Sequence, residues 1–213
     1  MGWLGEINVL SMNIPNALTI ARIMALFVLV AILLFPFDGA HSLAFILFIL
    51  TALTDWLDGY LARRYNLVTN FGKLMDALAD KILIMGMFVV IAAMGVTPEW
   101  TVLLLLIMLS REFLITGLRL IAATRGKVLS AEKAGKLKTI LQIVCLSVYL
   151  LDLAFARDSF YTNMAEVFPL VHYLSEIGLG LFVLSTLLTF TSGCGYLIRH
   201  ADLLKEPPQP HDS

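Results

Sequence analysis

Charged side chains are scarce in this 213-residue chain: Asp, Glu, Lys and Arg together make up 15% of it, against about 25% in soluble domains. The hydrophobic fraction is 59% and the mean hydropathy +0.87. That balance excludes an ordinary soluble domain and describes an integral membrane protein. Cysteine is nearly absent. Cys145 and Cys194 each fall in an apolar run without metal-ligand or redox spacing, so they read as packing residues. The four histidines, His41, His172, His200 and His211, show no ligand spacing either and are assigned no chemistry. Internal repeats, low-complexity stretches and the in/out alternation of a membrane β-barrel are all missing. With a net charge of −1, no nucleic-acid partner is expected.

What the chain has in quantity is long apolar windows, and about 20 such residues span a hydrocarbon core of about 30 Å. Six windows qualify: residues 17–36, 42–63, 71–95, 99–123, 136–153 and 167–197. The expected fold class is therefore all-α, a polytopic membrane protein with six transmembrane helices. Pro36 with Gly39, Asn66 with Asn70, Gly95 with Pro98, and Gly126 separate the windows. The last is longer than one span needs, and is expected either to run past the membrane or to break near Gly193 and Gly195. Residues 1–12, with Trp3, Leu4, Ile7, Val9 and Leu10 around few charges, suit a short interfacial helix. One membrane domain is expected over 1–205 and a disordered tail, with three prolines, over 206–213.

Basic residues are segregated along the chain. Arg63, Arg64 and Lys73 flank the connection between the second and third windows, and Arg125, Lys127, Lys133, Lys136 and Lys138 crowd that between the fourth and fifth. Arg199 and Lys205 follow the sixth, whereas the opposite connections hold Asp38, Glu99, Asp152, Asp158 and Glu166 with Arg157 as their basic residue. The positive-inside rule then puts both termini in the cytoplasm. The first window is not expected to be a cleaved signal peptide, because nothing basic precedes it.

Against this background the aspartates stand out. Asp55, Asp58, Asp76 and Asp80 interrupt the second and third windows, and each carboxylate at a bilayer centre costs roughly 2.5 to 3.5 kcal/mol on insertion scales. Spacings of three and four residues put each pair on one helix face. Carboxylate oxygens are the ligands hard cations prefer, and Mg²⁺ usually takes one or two of them plus substrate phosphates. Four carboxylates can also share two metals in a clamp for displacement at phosphorus. Gly59, Gly72 and Ala62 leave room for close approach, and Arg63 offers a planar fork suited to phosphate. On the expected topology both pairs lie toward the cytoplasmic ends of their helices.

Asp55, Asp58, Gly59, Ala62 and Arg63, then Gly72, Asp76 and Asp80, reproduce DxxDGxxAR, eight residues, GxxxDxxxD without a departure. At these residues the chain resembles the CDP-alcohol phosphotransferase family. The resemblance implies a six-helix membrane enzyme, dimeric as a rule, that uses a divalent metal to displace CMP from a CDP-activated lipid by an alcohol. It implies Asp55, Asp58 and Asp76 as ligands of Mg²⁺ or Mn²⁺, two ions in all. Asp80 becomes the general base with a further role at the metal, and Asp58, Gly59, Ala62, Arg63 and Gly72 line the CDP site.

A second, less specific resemblance concerns the acceptor. Asn13-Ile-Pro-Asn16-Ala-Leu-Thr19-Ile-Ala-Arg22, Arg111-Glu112-Phe113 with Leu118-Arg119, and Gly135-Lys136-Leu-Lys138-Thr139 are similar to the bacterial phosphatidylglycerophosphate synthases. This implies CDP-diacylglycerol as donor, with Asn16 and Thr19 at its site, sn-glycerol 3-phosphate as acceptor, a homodimer, and the bacterial inner membrane. An acceptor with its own phosphate needs cations, and Arg111, Arg119, Lys136 and Lys138 lie in or next to the fourth and fifth windows. Blander readings stand beside these. The aspartates could serve a cation or proton pathway, and inositol phosphate, serine or phosphatidylglycerol could be the acceptor. Arg111 with Glu112 could be a structural ion pair, although neighbours on a helix point apart. Lys136 and Lys138 could snorkel to headgroups, and Lys81 reads as local charge balance beside Asp80.

Overall fold

The computed structural model describes residues 14–64, 70–124, 133–161 and 169–204, with side chains described for 20–54, 78, 79, 81–123, 137–161 and 169–202. Within these residues six long helices follow one another and no strand occurs: α1 (Ile14–Leu34), α2 (Ala40–Arg64), α3 (Asn70–Ala93), α4 (Thr101–Thr124), α5 (Lys133–Arg157) and α6 (Leu174–Arg199). Each coincides with one apolar window. Stretches at Thr101–Ala123, Leu137–Arg157 and Pro169–Arg199 are long and apolar enough to cross a bilayer. The expected interfacial helix and the C-terminal tail lie outside the described residues.

The side chains turned outward are mainly large hydrophobics, such as Phe27, Leu53, Leu103, Phe113, Leu120 and Leu187, each more than half exposed. Polar groups are inside: Glu112, Lys138, Gln142, Ser185, Thr186 and Thr189 are buried. That inversion of the soluble pattern is what a lipid solvent imposes, since apolar surface costs nothing there while unpaired polar groups do. The chain is an all-α membrane protein.

Helix ends follow local chemistry. Gly39 (φ +86°) and Gly95 (φ +69°) adopt the left-handed backbone that favours glycine and turn the chain after α1 and α3. Of the two alternatives for the last window, a break near Gly193 and Gly195 does not occur: α6 runs through both. α6 is preceded by a 3₁₀ turn over Pro169–Tyr173. Proline lacks the N–H that a continuous helix would use.

The chain divides into two compact units, Met1–Val90 with Leu150–Val171, and Ile91–Tyr149 with His172–Ser213. In the first, α1 packs on α2, and α1 meets α3 where Leu26 covers Gly86. A clasp joins the start of α2 to the end of α5. Asp158 Oδ1 accepts from the His41 backbone N–H at 3.3 Å and from His41 Nδ1 at 2.8 Å, while Oδ2 accepts from the Ser42 N–H at 2.8 Å and its hydroxyl at 2.5 Å. A carboxylate only accepts, so His41 carries its proton on Nδ1. Asp158 thereby caps N–H groups that the first turn of α2 leaves without helical partners. Beside it, Asp38 accepts from the Ser159 N–H at 3.0 Å and hydroxyl at 2.6 Å.

Burial pushes the Asp158 carboxyl up, but hydrogen bonds from Ser42 and His41 outweigh it and hold the group below its ordinary value. Ser159 likewise holds Asp38 down. A depressed folded pKa stabilises above the unfolded value of about 3.9, and that stability is lost as pH falls through the folded pKa. Asp158→Ala is expected to cost about 3 kcal/mol, because buried donors lose their acceptor. In thermal melts of the detergent-solubilised protein, the parent midpoint should drop below about pH 4, and this acid-side drop should be shallower in the variant. An equally steep drop in both would show that the clasp does not titrate with folding.

In the second unit α4 and α6 run parallel, as helices separated by one returning helix must. Met108 meets Thr186, Arg111 meets Ser192 and Arg119 meets Tyr196, so both chains advance together. At Gly178 an added Cβ would lie 2.8 Å from the Tyr149 ring, and this close approach brings α5 against α6. The Cys145 thiol, 3.4 Å from the Gly178 carbonyl, fills the same contact as a packing residue.

Candidate active site

α2 carries Asp55, Asp58, Gly59, Ala62 and Arg63 on continuous helical backbone, and α3 carries Gly72, Asp76 and Asp80 likewise. The helical intervals that place each aspartate pair on one face are therefore present. Asn16 and Thr19 sit in the first turns of α1. The side chains of all these residues, and that of Lys136, lie outside the described ones. The donor set, carboxylates on two apolar helices, fits a hard divalent cation such as Mg²⁺ or Mn²⁺ and suits no soft metal.

The second unit holds a described cluster of charge. Glu112 Oε1 accepts from Arg111 Nη1 at 3.1 Å and also pairs with Lys138 Nζ. All three side chains are nearly buried. Arg111 and Glu112 thus do meet although they are sequence neighbours, because the long guanidinium folds back; its Nη2 reaches Ser192 on α6 at 3.1 Å. Two cations share one carboxylate, which leaves the cluster with one net positive charge. Gly193 makes the arrangement possible, since a Cβ there would stand 2.5 Å from Arg111 Cγ.

Arg119 is apart from this cluster. Eight residues along α4, about 12 Å at helical rise, it donates to the Tyr196 hydroxyl at 3.4 Å, and its guanidinium stands 5.5 Å from the centre of the same ring. Tyr196 itself is fixed among Ile115, Leu118 and Ala122. Two buried donors, Gln142 Nε2 and Thr189 Oγ1, have no hydrogen-bond partner among the described residues. Each lies one helical turn from a member of the cluster, Lys138 on α5 and Ser192 on α6.

Sequence reasoning named the cations but missed Ser192, Tyr196 and Thr189. The available signal was a stripe at helical spacing, Thr186, Thr189, Gly193 and Tyr196, inside an otherwise apolar run.

Paired carboxylates on two helices, α2 and α3, together with a charged cluster in the second unit, belong to a helical membrane protein whose residue types are those that phosphate and hard cations recruit. The pattern of the family described as CDP-alcohol phosphatidyltransferase matches residues 12–189. This chain belongs to that family. A relative from Bacillus subtilis (strain 168), named CDP-diacylglycerol–glycerol-3-phosphate 3-phosphatidyltransferase, is 43% identical over 161 residues, covering 70% of this chain and 82% of the relative. One of the same name from Salmonella choleraesuis (strain SC-B67) is 34% identical over 201 residues, 91% of this chain and 98% of the relative. The Rickettsia typhi protein of that name is 41% identical over 139 residues, 65% and 76% respectively.

Proposed function

We propose that this chain transfers the phosphatidyl group of CDP-diacylglycerol to the 1-hydroxyl of sn-glycerol 3-phosphate, giving phosphatidylglycerophosphate and CMP. The observation that carries the reading is the unbroken aspartate spacing of Asp55 to Asp80 on α2 and α3, in a chain similar over most of its length to proteins named for this transfer. The acceptor hydroxyl oxygen forms a bond to the phosphatidyl phosphorus as the bond from that phosphorus to the CMP oxygen breaks. Asp80 takes the hydroxyl proton. Asp55, Asp58 and Asp76, with Asp80 contributing, hold divalent metal. Bound metal, as two ions of Mg²⁺ or Mn²⁺, supplies positive charge where the diphosphate and departing CMP accumulate negative charge. Asn16, Thr19, Gly59, Ala62, Arg63 and Gly72 position the nucleotide end of the donor.

Arg111, Arg119, Lys136 and Lys138 supply the positive charge that draws the acceptor phosphate; Arg111 and Lys138 stand together, and Arg119 lies about 12 Å along α4 from Arg111. The net positive charge of the Arg111–Glu112–Lys138 cluster supports this role, because a phosphate can enter it without meeting an uncompensated carboxylate. In the membrane we place six spans, an interfacial helix over residues 1–12, both termini in the cytoplasm of a bacterial inner membrane, and a homodimer.

Neutralising any one of Arg111, Arg119 or Lys136 removes a charge-assisted contact worth roughly 1.5 to 3 kcal/mol. Steady-state kinetics should show the Michaelis constant for glycerol 3-phosphate raised about 10- to 100-fold, with that for CDP-diacylglycerol nearly unchanged. Gly193→Ala should act in the same direction by displacing Arg111. Plain glycerol should be a poor acceptor for the parent, and the variants should discriminate less between it and its phosphate. Loss of activity with both acceptors alike would indicate misfolding, and unchanged acceptor kinetics in Arg119→Gln and Lys136→Gln would remove the pocket from this location.

A further inference from the structure

At the end of α2 remote from its aspartates, the first unit holds an open cavity of about 760 Å³, lined by Phe37, Asp38, His41, Phe155, Arg157 and Asp158 among others. Sites for small ligands commonly measure about 300 to 1,000 Å³. His41 and Asp55 lie about 21 Å apart along one continuous helix. The cavity is therefore separate from the candidate active site.

Its polar groups say what it suits. His41 is 3% exposed; its Nδ1 is committed to Asp158 at 2.8 Å, while its Nε2 is buried and has no hydrogen-bond partner among the described residues. With the proton on Nδ1, Nε2 presents a lone pair, so the wall carries an unfilled acceptor. Arg157 makes no hydrogen bond or ion pair among the described residues and keeps its donor fork for a guest. Asp38 accepts from Ser159, yet each of its oxygens retains a second lone pair. Opposite charges in one wall call for a guest carrying both signs. Phe35 and Phe160, which adjoin lining residues in sequence, are 79% and 80% exposed and offer acyl chains an apolar surface at a helix end, where headgroups lie.

We infer that this cavity binds the headgroup of a phosphatidylethanolamine, its ammonium donating to His41 Nε2 and facing Asp38, its phosphate accepting from Arg157. Phosphatidylcholine carries the same charges but no N–H for the imidazole, and phosphatidylglycerol carries no cation for Asp38. The His41 lone pair is thus what tells the first lipid from the second. The bound lipid would touch both helix ends that the Asp158 clasp joins.

The detergent-purified full-length chain, stripped of lipid, is titrated with phosphatidylethanolamine, its N,N-dimethyl form, phosphatidylcholine and phosphatidylglycerol of equal chain length, and bound lipid is counted by native mass spectrometry. Affinity should hold through the dimethyl form, which retains one N–H, and fall about 10-fold at phosphatidylcholine, the size of one charged hydrogen bond. Phosphatidylglycerol should also bind more weakly than phosphatidylethanolamine. Arg157→Gln, at an exposed position, should weaken phosphatidylethanolamine about 10-fold, and His41→Gln should abolish the preference over phosphatidylcholine. The methylation series uses the parent alone, so it decides even where His41→Gln fails to fold. Equal affinity for phosphatidylethanolamine and phosphatidylcholine overturns the assignment, as does tighter binding of phosphatidylglycerol, unchanged binding in Arg157→Gln, or free phosphoethanolamine competing at the lipid's own concentration. Binding is read without turnover, so the result is independent of the proposed transfer.

Discussion

Asn in place of Asp55, Asp58 or Asp76 is expected to lower turnover by about 10³-fold or more and to weaken divalent-metal binding in parallel. The magnitude follows from the charge at stake: the diphosphate carries negative charge that grows on CMP as it departs, and one preorganised stabilising group alone is worth about 10² to 10³ in rate. Asparagine keeps the size and polarity of aspartate, so helix packing on α2 and α3 should survive. The two readouts are initial rate across a metal titration and metal binding by calorimetry. Full activity at saturating metal in any of the three variants would remove that residue from the metal site.

Asp80→Asn should separate binding from rate. If Asp80 chiefly accepts the proton of the attacking hydroxyl, the variant keeps most of its affinity for the CDP-lipid while kcat falls by about 10² to 10⁴-fold. A base also leaves a mark on the pH–rate profile: the parent is expected to show an acid limb, and that limb should disappear from the residual activity of the variant. Loss of CDP-lipid affinity as large as that of Asp55→Asn would make Asp80 mainly a metal ligand.

The helices were legible because their signal is local. Twenty apolar residues bounded by Pro36, Gly39, Gly95 or Pro98 place a helix within a few positions, and α1 to α6 lie on the expected windows. The aspartate pattern was legible for a related reason, since intervals of three and four acquire meaning once the segment is helical. Other features were not legible. The break that Gly193 and Gly195 suggested for α6 does not occur, and Gly193 instead gives Arg111 room to lie against the helix. His41 has a structural partner, Asp158, that lies 117 residues away. Pairings of that range depend on which helix ends the fold gathers, and neither spacing nor composition encodes it. The Glu112–Lys138 pair was hidden likewise: each charge was visible, but their neutralisation of one another was a property of α4 against α5.

The central claim is that the phosphatidyl group passes from a CDP-lipid to glycerol 3-phosphate, and label transfer measures it directly. Purified protein would be given CDP-diacylglycerol, a divalent metal and glycerol 3-phosphate labelled in the glycerol, with CMP and lipid-phase label followed together. Equal amounts of CMP and labelled phosphatidylglycerophosphate, both abolished by chelation, are the predicted result. CMP release without label entering lipid, or label transfer outcompeted by serine or inositol phosphate, would contradict the acceptor; no CMP with any alcohol would contradict the transferase itself.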